Sequence, residues 1–126
     1  LDEKNIMVDK RELIKQYKQN PPEMGIFQIR NRINGKIFIG KAMNLKGILN
    51  SNRFQLKNNS HMNKALQADF NEHGEENFVF EKLDILKVKD DISYDYNKDL
   101  ELLEELWLDK LQPFDDKGYN IRKSNR

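Results

Sequence analysis

The chain predicts a small α+β domain, a three-stranded antiparallel sheet flanked by helices, with one more helix ahead of it. Three observations carry that expectation. Residues 25–40 read as two short strands joined through Asn34-Gly35, a dipeptide that accepts the positive φ angles of a tight hairpin turn. Phe78-Val79-Phe80-Glu81-Lys82-Leu83 is an aromatic and β-branched run after a turn signal, and reads as a third strand. Four further stretches place apolar residues at helical spacing. At 126 residues the chain is long enough for a single core without staples.

Taken in order, residues 9–19 are expected to be helical, with Asp9 and Glu12 at capping-box spacing and Leu13, Ile14 and Tyr17 as a narrow apolar stripe. Pro21-Pro22 ends it, which divides the chain into an N-terminal helical extension, 1–22, and a main domain, 23–126. In the hairpin, Phe27 and Phe38 stand at matched places, so both rings can share one face. Asn44 is a plausible N-cap for a helix over 45–56. At about 100° per residue, Ile48, Leu49, Asn52 and Leu56 fall in one stripe with Leu45, and Arg53 lies at its edge. A loop at Asn58-Asn59-Ser60 leads to a helix over 63–73, stopped by Gly74, with Leu66, Phe70 and Ala65 or Asp69 on its buried edge. Residues 87–98 read as an exposed connection carrying Tyr94 and Tyr96. His61 is a candidate phosphate contact, and His73 beside Gly74 reads as a helix C-terminal group; the two form no metal-ligand pair at a standard spacing.

The last helix, 99–111, holds the sharpest signal. Leu100, Leu103, Trp107 and Leu111 form its apolar stripe and Glu104 lies within it, while Glu101, Glu105 and Asp109 take the other side. A buried carboxylate is costly unless it is paired or bound to a cation, so Glu104 points to a polar pocket, a basic partner or a metal. The bland alternative is a wet stripe edge where the carboxylate snorkels to water.

Charge is unevenly distributed. Between Gln28 and Lys64 stand Arg30, Arg32, Lys36, Lys41, Lys46, Arg53, Lys57 and Lys64 with no acid, whereas acids dominate from Ala65 to Glu105. A local basic surface is what a phosphate backbone needs. Opposite blocks of charge also pair within a fold or between chains. The absence of cysteine excludes disulfides, thiolate metal sites and a cysteine nucleophile, and fits a reducing, cytoplasmic setting. No apolar run approaches a membrane span, so no membrane partner is expected.

Gly25-Ile26-Phe27 and Phe38-Ile39-Gly40, with Asn31, Asn34-Gly35-Lys36, Asn44-Leu45, Gly74-Glu75-Glu76-Asn77-Phe78, Leu103-Glu104-Glu105-Leu106-Trp107 and Gly118-Tyr119-Asn120-Ile121 in that order, resemble the GIY-YIG nuclease superfamily. The resemblance implies a metal-dependent phosphodiester endonuclease fold, with magnesium or manganese on Glu104 and an asparagine, Asn120, near the site. It also implies two tyrosines in the tripeptides, an arginine four residues past Asn44 and a histidine four beyond that. Here Phe27, Phe38, Ile48 and Asn52 stand in those four places.

The leading expectation is therefore a domain that binds nucleic acid, DNA before RNA, with weak or lost cleavage, using Arg30, Arg32, Lys36, Lys41, Lys46, Arg53 and Lys57. An active divalent-metal-dependent DNA endonuclease, with Arg53 standing in for the missing arginine, is the alternative. A protein-interaction module matching acidic to basic halves is the third.

Overall fold

A computed structural model describes residues 21–87 and 93–123 of the protein. The helix expected over 9–19 lies outside the described residues. Strand β1 (Met24–Asn31) is the centre of a three-stranded antiparallel sheet, with β2 (Ile37–Ala42) on one side. Helices α1 (Leu45–Lys57) and α2 (Lys64–His73) follow, then β3 (Phe78–Leu86) on the other side of β1, and finally α3 (Asn97–Leu111). Among the described residues no helix is long and apolar enough to cross a membrane.

The hairpin forms where the sequence places it, but its connection is wider than a two-residue turn. Arg32 to Lys36 lie between the strands, closed by Gly35 N–H to the Asn31 carbonyl at 2.8 Å and Asn31 N–H to the Lys36 carbonyl at 2.9 Å. Only Gly35 takes a positive φ, +78°. Asn34 instead accepts the Lys36 N–H on its side-chain oxygen at 2.9 Å, and Asn31 accepts the Ile33 N–H at 2.8 Å. Two local side-chain acceptors thus hold a loop that sequence reads as a tighter turn.

Alternation along β1 sends Phe27, Ile29 and Asn31 to one face and Ile26, Gln28 and Arg30 to the other. On the first face, Phe27, Ile29 and Phe78 pack with Leu45 and Leu56 of α1 and Leu66 and Phe70 of α2. On the second, α3 sets Leu100 against Met24, and Trp107 donates its indole N–H to Asp84 at 2.9 Å. Asn44 and Asn63 cap α1 and α2 by accepting the N–H groups of Gly47 and Leu66, each at 3.0 Å.

Among the described residues the connection expected to be exposed is so at Lys87, Ser93 and Asp95, but Tyr94 is half-buried and Tyr96 buried. Tyr96 is buried with Met24 and Leu100, its ring 4.8 Å from that of Tyr94, whose hydroxyl donates to Asp99 at 2.8 Å. The polar neighbours of these rings hide an apolar anchor that starts α3 at Asn97 rather than 99.

After α3, residues 118–120 run along the outer edge of β2. Tyr119 N–H donates to the Ile37 carbonyl at 2.8 Å, and the Asn120 carboxamide pairs with both backbone groups of Ile39. This covers an edge that would otherwise be open.

Candidate functional site

The two tripeptides lie side by side on β1 and β2, with Phe27 opposite Gly40 and Phe38 opposite Ile29. Both phenyl rings project to the face covered by α1 and α2, their centroids 6.2 Å apart. The ring of Phe27 lies over Gly40 so closely that a β-carbon there would stand 2.5 Å from it. Glycine at 40 is therefore a condition of seating an aromatic at 27.

Ile48 packs on the same cluster, half-buried beside Phe38. One turn on, Asn52 is 7% exposed, as its place in the stripe requires. Its amide N–H donates to the Ile48 carbonyl at 2.8 Å and its oxygen lies 2.6 Å from His61 Nε2. His61, 4% exposed, meets the Phe38 ring edge-on at 5.8 Å. Its Nδ1 accepts the Asn63 N–H at 3.0 Å, so the proton is on Nε2 and is given to Asn52. Burial holds the imidazole below its ordinary pKa of 6.5. Both ring nitrogens are occupied, which removes His61 from the candidate phosphate contacts. Phe27, Phe38, Ile48, Asn52 and His61 are thus brought together. His61 joins them across the loop between α1 and α2, a meeting that helical spacing does not foretell.

Glu104 lies on α3, the helix of the opposite sheet face, and is half-buried. Among the described residues it forms no hydrogen bond or ion pair, and no such contact links it to the phenylalanines. Asn120 reaches Ile39 of the second tripeptide, donating to its carbonyl at 2.8 Å and accepting its N–H at 2.9 Å. Both ends of that amide are committed to backbone.

The basic residues divide. Arg30 pairs with Glu81 at 3.8 Å, Arg53 with Glu75 at 3.8 Å and Lys57 with Glu75 at 3.4 Å. Lys36 sits 5.8 Å from the centre of the Tyr119 ring. Arg32, Lys41 and Lys46 are exposed without an ion pair among the described residues. Arg53 also lays its guanidinium over Phe80 at 4.5 Å. Phe80 and Phe38 both pair with Ile29, from opposite sides, so the two rings are set two strand spacings apart, roughly 10 Å.

A second polar group escapes the sequence reading. Tyr119, buried, donates its hydroxyl to Asp69 at 2.7 Å and accepts from Asn31 at 3.0 Å; burial and Asp69 push its pKa up to about 12. Asp69, Glu72 and His73 bring one ligand atom each within 4.8 Å, a group that could hold a metal ion. The i, i+3, i+4 spacing on α2 is legible once acids are considered with His73.

No family model matches the chain. It is similar to the intron-associated endonuclease 1 of Enterobacteria phage T4, 31% identical over 97 residues, which is 77% of this chain and 36% of that protein. The chain therefore spans little more than a third of that relative's length. Among solved structures, the catalytic domain of homing endonuclease I-TevI matches with a TM-score of 0.64 at 28% identity, over 79% of this chain and 99% of that one. A glutamate-to-alanine mutant of the same catalytic domain gives 0.65 at 27% identity, over 82% and 97%. With the ordered tripeptides and the β2-β1-β3 sheet between its helices, these likenesses establish that the chain belongs to the GIY-YIG nuclease superfamily.

Proposed function

We propose that this domain binds nucleic acid, DNA in preference to RNA, and that its phosphodiester cleavage is weak or lost. The observation that carries the second half is the occupancy of the four positions where the family resemblance places its chemistry. Two phenyl rings, a core-packed isoleucine and an asparagine spent on Ile48 and His61 offer no free base and no cation. A general base contributes about 10²–10⁴ in rate and a preorganised electrostatic stabiliser about 10²–10³. Without either, in-line attack by water on a phosphodiester is left to whatever the metal supplies.

Glu104 suits a hard divalent cation: it is an oxygen donor, half-buried, and without a protein partner among the described residues. Magnesium is commonly held through one or two carboxylates plus water and phosphate oxygens. When bound, the ion supplies Lewis-acid polarisation of the phosphate. Arg32, Lys41 and Lys46, exposed and without an ion pair among the described residues, support contact with a phosphate backbone, while the ion pairs of Arg30, Arg53 and Lys57 are weak surface pairs that a phosphate can replace.

The same Glu104, without a partner among the described residues, favours a second reading, a working metal-dependent endonuclease with an atypical base. The test is a supercoiled-plasmid assay with magnesium or manganese beside Glu104→Gln, and a gel shift in chelator at rising salt. The proposal expects no nicking, with a shift that fades as salt rises. Nicking by the wild type that Glu104→Gln abolishes establishes the second reading. Absence of both nicking and shift retires both and turns the search to protein partners.

A further inference from the structure

We infer that Phe54 is a stacking contact for an unpaired base, so that the domain prefers DNA with single-stranded or unstacked nucleotides to uniform duplex; the inference rests on the nucleic-acid reading above. Phe54 is 67% exposed on the outer face of α1, opposite the stripe of Leu45, Asn52 and Leu56 that packs on the sheet. Exposure alone means little, since Leu102 and Leu106 of α3 are comparably exposed. The surroundings differ. Leu102 and Leu106 share their helix with Asp99, Glu101, Glu104, Glu105 and Asp109, whereas α1 contributes no acid of its own, the one described helix of which this is true, and the acid that meets it, Glu75, is paired with Arg53 and Lys57.

Asn50 and Ser51 lie one turn before Phe54 on the outer face, and Lys57 and Asn58 one turn after. Lys46 adds a cation without an ion pair among the described residues at the start of the helix. Amides, a hydroxyl and cations around a bare aromatic ring form a surface of the kind that tracks a phosphate backbone while stacking bases. A phenyl ring offers a π-face and no hydrogen-bonding group, so it cannot read the edges of paired bases in a groove. Its partner is the face of a base, and in a regular duplex those faces are already stacked. The Asn58 side chain, donating to the Phe54 carbonyl at 2.8 Å, holds the last turn that presents the ring.

The test is fluorescence anisotropy in chelator, with labelled oligothymidylate of about 20 nucleotides and a mixed-sequence duplex of the same length, at several salt concentrations. The proteins are the wild type, Phe54→Ala and Phe54→Trp. Expected is a loss of roughly 5–100-fold on the single strand for Phe54→Ala, little change on duplex, and an unchanged salt slope, because no phosphate contact is removed. Phe54→Trp restores binding, and its emission above the Trp107 background is quenched by the oligonucleotide. Equal binding of wild type and Phe54→Ala to the single strand, or equal losses on single strand and duplex, overturns the inference and leaves the nucleic-acid reading standing. Failure of the wild type to bind either probe removes both.

Discussion

Asn52→Ala tests whether the polar residue in the α1 stripe is held for structure rather than chemistry. The substitution leaves the Nε2–H of His61 buried without its 2.6 Å acceptor and strips a side-chain donor from the Ile48 carbonyl. An orphaned buried donor costs about 1–3 kcal/mol. The Ile48 carbonyl keeps its helical bond and adds little. The expected loss is about 2 kcal/mol, which at an m-value of about 1–3 kcal/mol per molar moves a urea midpoint down by roughly 1 M. His61→Ala removes the same pair from the other side, and the double variant completes a cycle whose coupling is expected above about 0.5 kcal/mol. Asn52→Asp separates size from polarity. It preserves the acceptor, places a carboxylate beside the ring and raises the His61 pKa in an NMR titration. A loss below about 0.5 kcal/mol for Asn52→Ala, or additive single variants, refutes the reasoning. Gel-shift affinity is expected to survive in every variant that remains folded.

Burial depresses His61 in the folded state below 6.5, so its contribution to stability is full above about pH 6.5 and is lost as pH falls from there toward the folded value; His61→Gln, which keeps a donor and an acceptor, flattens that part of a stability-versus-pH curve. Tyr119 has the opposite sign: its pKa is raised from 10.0 to about 12, so stability is full below pH 10 and is lost between about 10 and 12. Tyr119→Phe removes the tyrosinate absorbance step near pH 12 and costs about 1–3 kcal/mol at neutral pH, because Asn31 and Asp69 lose a buried partner. Asn120→Ala breaks two bonds to Ile39 and lowers stability by about 2 kcal/mol in urea melts, and Asn120→Asp, which sets a carboxylate oxygen against the Ile39 carbonyl, is no better. The combined variant Phe27→Tyr, Phe38→Tyr, Ile48→Arg and Asn52→His gains metal-dependent plasmid nicking that Glu104→Gln removes; a folded but inactive combination shows that some other part of the site is missing.

What was legible in the sequence was local. Apolar spacing placed the three described helices, and Glu104, expected in the stripe either buried against a partner or snorkelling from a wet edge, is half-buried with no partner among the described residues. The pairing of the two tripeptides followed from their matched aromatics, and Phe27 against Gly40 gives that match its packing reason. The misses were tertiary. Residues 52 and 61 meet only because the loop after α1 folds back, with Asn63 and Gln67 fixing His61 from α2. Asn120 acts as a strand substitute on an edge the sequence does not advertise. Tyr94 and Tyr96 were hidden by their charged neighbours, and the hairpin loop by the strong prior that Asn-Gly closes a two-residue turn.

On the proposed reading, the retention of Glu104 and Asn120 beside refilled positions 27, 38, 48 and 52 follows from what each costs in isolation. An arginine at 48 would start from a half-buried position packed against the apolar cluster of Phe27, Ile29, Leu45 and Leu56. Desolvation of an unpaired cation there is costly, and only nearby hydroxyls or a bound phosphate would offset it. Once the two phenols are phenyl rings, isoleucine is the more stable occupant. Asparagine at 52 accepts the Nε2–H of His61 and donates to the Ile48 carbonyl, two roles that a histidine there would have to fill with a larger ring. These positions therefore favour apolar or amide side chains together, and each refilling makes the next less costly. Glu104 is on α3, half-buried, and forms no hydrogen bond or ion pair with them among the described residues, so its charge carries no such penalty. Asn120 is held by the edge of β2 whatever the chemistry. On that reading Glu104 and Asn120 are residues whose retention need not depend on catalysis, so the presence of Glu104 alone is poor evidence for a working nuclease, and the combined reversion is the more discriminating experiment.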